Sequence, residues 1–185
     1  MPMSLELVIL LLLSAAIAWV SRASLRHIRS HGFYRFLAWE TIAALIALNL
    51  RQWFVDPFSP RQLASWALLV ASLVLAVHGF WLLSQMGRPD SGRDDPALVG
   101  LEKTTKLVTV GAYRYIRHPL YSSLLFLTWG AFLKDLSWLG LALALLSSLF
   151  LTLTAKIEEV ENARYFGAAY QSYMRTTKMF IPFLF

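Results

Sequence analysis

Apolar residues run through this chain in long blocks, and the charged residues gather at the edges of those blocks. Taking the charged positions as boundaries gives five blocks, at about 4–21, 36–50, 62–84, 119–133 and 137–156. Runs that are apolar on every side predict membrane helices rather than amphipathic ones. The second and fourth blocks are shorter than the roughly 20 residues a straight span needs. Either they borrow aromatic flanks such as Phe33-Tyr34 and Trp53-Phe54, or the fourth is tilted or partly re-entrant. Only Lys134-Asp135-Leu136 separates the fourth block from the fifth, which predicts a tight antiparallel hairpin. Its two open ends should then be neighbours in space.

The first block could pass for a signal peptide over Leu5 to Val20, with Ser21 and Ala23 following. No basic residue precedes it and four arginines follow, the reverse of a signal peptide's charge order, so it reads as a first membrane helix. Composition agrees with a bilayer protein. Hydrophobic residues make up 57% and charged residues 15%, against roughly 25% charged in an average soluble domain. No linker or internal repeat divides the chain, which reads as a three-span membrane region over 1–84 and a C-terminal region over 85–185 made of a polar loop, a helical hairpin and a last helix. The chain has no cysteine, which excludes disulfides, thiolate metal sites and cysteine nucleophiles.

Five spans put the two termini on opposite sides, so the basic residues can be sorted by side. Fourteen fall on one side: Arg22, Arg26, Arg29, Arg35, Arg88, Arg93, Lys103, Lys106, Arg114, Arg117, Lys156, Arg164, Arg175 and Lys178. Arg51, Arg61 and Lys134 fall on the other. The positive-inside rule makes the fourteen-residue side cytoplasmic, with the N-terminus opposite.

Smaller features carry weaker expectations. His27 and His31 have helical i, i+4 spacing that could clamp a metal, but four histidines are too few for a histidine-rich di-iron oxidase. Ser21 to Arg35 reads as a basic segment facing anionic headgroups, and no metal site is expected. His78, inside the third block, reads as an interhelical histidine and a secondary site candidate. Glu40 either lies about a turn from the interface near Arg35 or faces a catalytic cavity. Residues 85–110 form the longest polar stretch and read as a cover over the site, with Leu101 to Val110 a short helix or an extended arm.

The chemistry concentrates at the hairpin's open ends. One carries Gly111 to Ser123, GAYRYIRHPLYSS, and the other Glu158-Glu159. Pro119 suits the first turn of a helix, so the chain enters the fourth helix at about His118, where backbone N–H groups can hold an anion. Arg114 and Arg117 read either as headgroup anchors or as holders of substrate charge. Adjacent helical residues point about 100° apart. Glu158 and Glu159 are therefore not expected to address one group, and Glu159 is expected to hold Arg114 or Arg117.

The Arg117-His118-Pro119-x-Tyr121 block, the paired carboxylate, Phe166-Gly167-x-x-Tyr170-x-x-Tyr173 and Phe180-Ile181-Pro182 together resemble the integral-membrane methyltransferases typified by isoprenylcysteine carboxyl methyltransferase and the phospholipid methyltransferases. The resemblance covers about residues 98–182. It implies an all-α membrane protein of about five transmembrane helices, a C-terminal cytosolic helix and a cofactor subdomain. It also implies S-adenosylmethionine as cofactor and a lipid-like or prenylated acceptor, with no nucleic acid involved. By resemblance, Thr105, Lys106, Leu107, Val108, Tyr113, His118, Pro119, Leu120, Tyr121 and Glu158 line the cofactor site, while His118, Arg117 and Glu159 serve catalysis. Glu158 would accept both ribose hydroxyls. Asn162 stands where the family usually has leucine, which puts the packing of that helix face in doubt. Membrane sterol and enone reductases share a similar block that serves NADPH, but usually with Asn at the place of Leu120 and Gly-Glu at Ser122-Ser123. A non-catalytic membrane protein is the third reading.

Overall fold

The computed structural model describes residues 4–88 and 104–184. Among them the chain is all helical, with six α-helices, short 3₁₀ turns and a single isolated β-bridge. The helices are α1 (Leu5–Ser21), α2 (His31–Leu48), α3 (Pro60–Met86), α4 (Pro119–Phe132), α5 (Trp138–Phe166) and α6 (Ala168–Thr176). Serine starts four of them: Ser4, Ser30, Ser59 and Ser137 each accept a hydrogen bond from a backbone N–H in the first turn. Pro60 and Pro119 occupy first-turn positions, where a missing N–H costs nothing.

All five apolar blocks are helical, but α3 and α5 are the two described helices long and apolar enough to cross a membrane. Helix α4 has 14 residues, a rise of about 21 Å at 1.5 Å per residue, short of the roughly 30 Å hydrocarbon core. The hairpin forms, yet its arms pack mainly elsewhere. Helix α4 lies chiefly along α3 and helix α5 along α2. Small residues allow the first of these contacts: a Cβ on Gly130 would sit 3.0 Å from Leu69, and one on Gly79 would sit 3.1 Å from Leu120. Ser65 and Ser72 of α3 donate to the carbonyls of Gly130 and Ser123 at 2.7 Å each. Between α2, α4 and α5 lie two apolar clusters, Ala38, Tyr121, Leu151 and Ala155 with Phe180, and Leu45, Ala131 and Ala144.

Three expectations are corrected. The fifth apolar block ends near residue 156, but its helix continues to Phe166, so Glu158 and Glu159 belong to α5 itself. Ser21 to Arg35 is not a headgroup-facing loop throughout: α2 begins at His31, and His31 and Arg35 are fully buried. His31 pairs with Glu161 of α5 and Arg35 lies over the Trp39 ring, while His27 sits in the turn before α2, so the two histidines share no helix. Glu40 accepts a 2.6 Å bond from Ser14 of α1, so it links two helices instead of lining the cavity described below.

Residues 89–103, most of the expected cover, lie outside the described residues. Of the described remainder, 85–86 end α3 and 104–110 is not helical, with bends at 105, 106 and 110.

Candidate functional site

The chain meets its functional end where three backbone segments converge. Gly111, at φ +59°, turns the chain beneath α3; a side chain there would collide with His78 and Leu82, each 2.7 Å from the added carbon. His78 Nε2 accepts the Ala112 N–H at 3.4 Å, so this histidine anchors the turn to α3. Residues 115–118 then run beside 178–180. Lys178 N–H donates to Tyr115 O at 3.0 Å, while Arg117 and His118 N–H donate to the carbonyls of Lys178 and Met179 at 2.8 and 3.2 Å. Ser122 Oγ adds a 2.8 Å bond to Phe180 O. His118, the residue before proline, is thereby fixed at the head of α4.

The other wall comes from α5 and its continuation. Gly167 ends α5 and starts α6 at φ +60°, ψ −135°, a conformation open chiefly to glycine. The elbow folds α6 back so that Tyr170 and Tyr173 are buried against the Arg117-His118 segment. Tyr173 donates to Tyr113 O at 2.6 Å. Burial pushes both phenols well above their ordinary range, and for Tyr170 the nearby charges of Glu158 and Glu159 push in the same direction.

These walls line a hollow that is partly open to solvent. Its polar margin holds His118, Tyr121, Glu158 and Arg117. Tyr121 donates to Glu158 Oε2 at 2.6 Å, and His118 Nδ1 lies 3.9 Å from the same oxygen. On its other edge, His118 Nε2 lies 3.3 Å from Glu159 Oε1. Arg117 Nε donates to that oxygen at 2.6 Å, and its terminal nitrogen donates to the carbonyls of Met174 and Thr177 at 3.3 and 2.5 Å. Both glutamates thus address one imidazole, from its two nitrogens, contrary to the expectation from helical phase alone. The ring is flat against Tyr121, with centroids 5.4 Å apart. Glu159 holds Arg117 as expected; Arg114 instead lies over the Tyr115 ring.

Of the residues assigned from sequence, Lys106, Leu107, Val108, Tyr113, Arg117, His118, Leu120, Tyr121 and Glu158 line the hollow. Thr105 does not: its hydroxyl donates to Arg88 O at 2.8 Å, closing the base of the 104–110 segment. Pro119 is buried in the α3 contact, and Glu159 sits behind His118 and Arg117 instead of on the wall. Leu83, Thr104, Asn162, Phe166, Tyr170 and Tyr173 also line it. The C-terminal tyrosines and Asn162 were visible as motif positions, yet nothing in their spacing said that α6 folds back. Leu83 is one apolar residue among many on α3 and carried no signal.

Comparison with known proteins places the chain in a family. The phospholipid methyltransferase family model matches residues 60–169, which span α3 through the start of α6. A methanethiol S-methyltransferase from Pseudomonas deceptionensis is 26% identical over 119 residues, 64% of this chain and 42% of that protein. The match thus spans less than half of that relative's length. No solved structure matches the chain. With more than half of its length under the family model, the chain belongs to the phospholipid methyltransferase family.

Proposed function

We propose that this chain is an integral-membrane methyltransferase that uses S-adenosylmethionine to methylate a lipid-like or prenylated acceptor at the cytosolic face. The observation that carries the reading is the Glu158 carboxylate on the wall of this partly open hollow, 3.9 Å from the His118 imidazole. The lining fits the cofactor. Leu83, Leu107, Val108, Leu120 and Phe166 supply apolar wall for a base. Glu158, with an 18% exposed side chain, accepts one bond from Tyr121 and a longer one from Asn162. A carboxylate has about four acceptor positions, so capacity remains for two hydroxyls of a ribose.

Bound there, S-adenosylmethionine would supply a methyl group activated by a sulfonium. The chain's own task is alignment, which can be worth roughly 7–11 kcal/mol. Glu159 and Arg117 fix the imidazole through Nε2, leaving Nδ1 directed towards Glu158 and the hollow. If the acceptor is a carboxylate, no base is needed; if it carries a proton, His118 is the group placed to receive it. A thiol is the second acceptor reading, favoured by the activity for which the Pseudomonas deceptionensis relative is named.

The proposed topology is five spans with the site cytosolic. Arg51 pairs with Glu6, Arg61 donates to the carbonyls of Leu133 and Lys134, and Lys134 bonds Gln62, so the three expected outer cations share one end of the bundle, opposite the hollow. Because the chain has no cysteine, single cysteines introduced at Arg175 and Phe58 can be labelled in sealed vesicles with an impermeant maleimide. Opposite accessibility supports the topology, and equal accessibility overturns it.

Function is tested by titration calorimetry in detergent and by methyl transfer from labelled cofactor into membranes. Micromolar S-adenosylmethionine binding without NADPH binding is expected, with the label appearing in a lipid fraction. NADPH binding alone would make the chain a reductase, and label in a small volatile thioether would replace the lipid with a thiol.

A further inference from the structure

Glu158 is steered from more than one side. Tyr121, on α4, donates to Oε2 at 2.6 Å. Asn162, one turn further along α5, donates from Nδ2 to Oε1 at 3.4 Å. The same Asn162 side chain faces the Tyr170 phenol of α6 across the hollow, where it opposes the upward push of burial on that phenol, and Tyr170 is only 3% exposed. Tyr121, Asn162 and Tyr170 all line the hollow with Glu158. One carboxamide therefore joins the carboxylate on α5 to the helix that folds back over it.

Asparagine is a weak helix former, so helix formation gives no reason for it here. An aliphatic residue at this place would set an apolar group against the Tyr170 phenol and leave Glu158 anchored at one oxygen only. An anchored carboxylate meets its ligand without first losing rotamer freedom, whereas a loose one must be ordered on binding.

We propose that Asn162 is a positioning residue, holding the Glu158 carboxylate in its ligand-binding orientation and tying that orientation to the seating of α6. The inference rests on the proposed role of Glu158 and predicts a coupling which that role alone does not. Measured by calorimetry with S-adenosylmethionine, Asn162→Leu should weaken binding about five- to tenfold, the size of one lost hydrogen bond. In a Glu158→Gln background the same change should cost nothing further, because no charged acceptor remains to be oriented. Asn162→Ala removes the carboxamide without adding bulk and should follow Asn162→Leu; thermal melting without ligand identifies any variant that has lost its fold. Wild-type affinity in both Asn162 variants, or losses that simply add to that of Glu158→Gln, overturns the proposal while leaving the function intact. A wild-type chain that does not bind the cofactor overturns both.

Discussion

Both ends of the helix bundle bury charge, and they do so in different ways. At one end Lys134 is completely buried, with Nζ 2.9 Å from Gln62 Oε1 and 3.4 Å from the centre of the Trp66 ring. Gln62 returns a bond to Lys134 O, and Arg61 covers the carbonyls of Leu133 and Lys134 just past the end of α4. These polar groups end on protein and serve to close helix termini. At the other end Arg117 and Glu159 form a buried pair, but the neighbouring Glu158 and His118 keep unused capacity beside a hollow. A buried charge does not by itself mark a site; surplus hydrogen-bonding capacity beside an open volume does.

The contrast can be broken most forcefully at Arg117. Arg117→Ala leaves Glu159 buried without its strongest partner and should cost about 3–5 kcal/mol of stability, read as a lowered thermal midpoint in detergent, with cofactor binding lost. Glu158→Gln should do the reverse, weakening cofactor binding roughly ten- to a hundredfold through lost charged bonds while leaving the unliganded midpoint nearly unchanged. Unaltered affinity would move the cofactor role to another carboxylate. Lys134→Met should lower stability by about 2 kcal/mol through the lost indole contact and hydrogen bond, with cofactor affinity of the folded fraction untouched. An affinity change there would mean that the two ends communicate. Gly167→Ala, strained at positive φ by about 1–2 kcal/mol, should unseat α6 and reduce affinity a few-fold.

The smallest effect at ordinary pH comes from the buried tyrosines. Their folded-state pKa values lie above the ordinary value of about 10. The resulting stabilisation is fully present below that value and is lost as pH rises towards the folded value, because the unfolded chain ionises first. Denaturant midpoints followed above pH 10 should therefore fall, and fall less in Tyr170→Phe.

The helices and the meeting of the hairpin's open ends were legible because apolar blocks and a three-residue connection leave few alternatives. The Glu158 and His118 neighbourhood followed from that topology. The sequence was less informative where tertiary contacts overrule local pattern. Polar residues continue α5 as readily as apolar ones, so nothing marked residue 156 as mid-helix. His31 and Arg35 look like surface residues until Glu161 and Trp39 are seen against them. Helical phase separated Glu158 from Glu159, but a flat ring with two nitrogens lies between them and meets both.

The pairing of residues 115–118 with 178–180 sets an order of assembly. During synthesis, Met179 and Phe180 are made after His118, so the helices before them can form while the segment that holds His118 does not yet exist. On the proposed function, a premature stop codon after Thr176 would remove the segment that holds His118 and is expected to abolish methyl transfer.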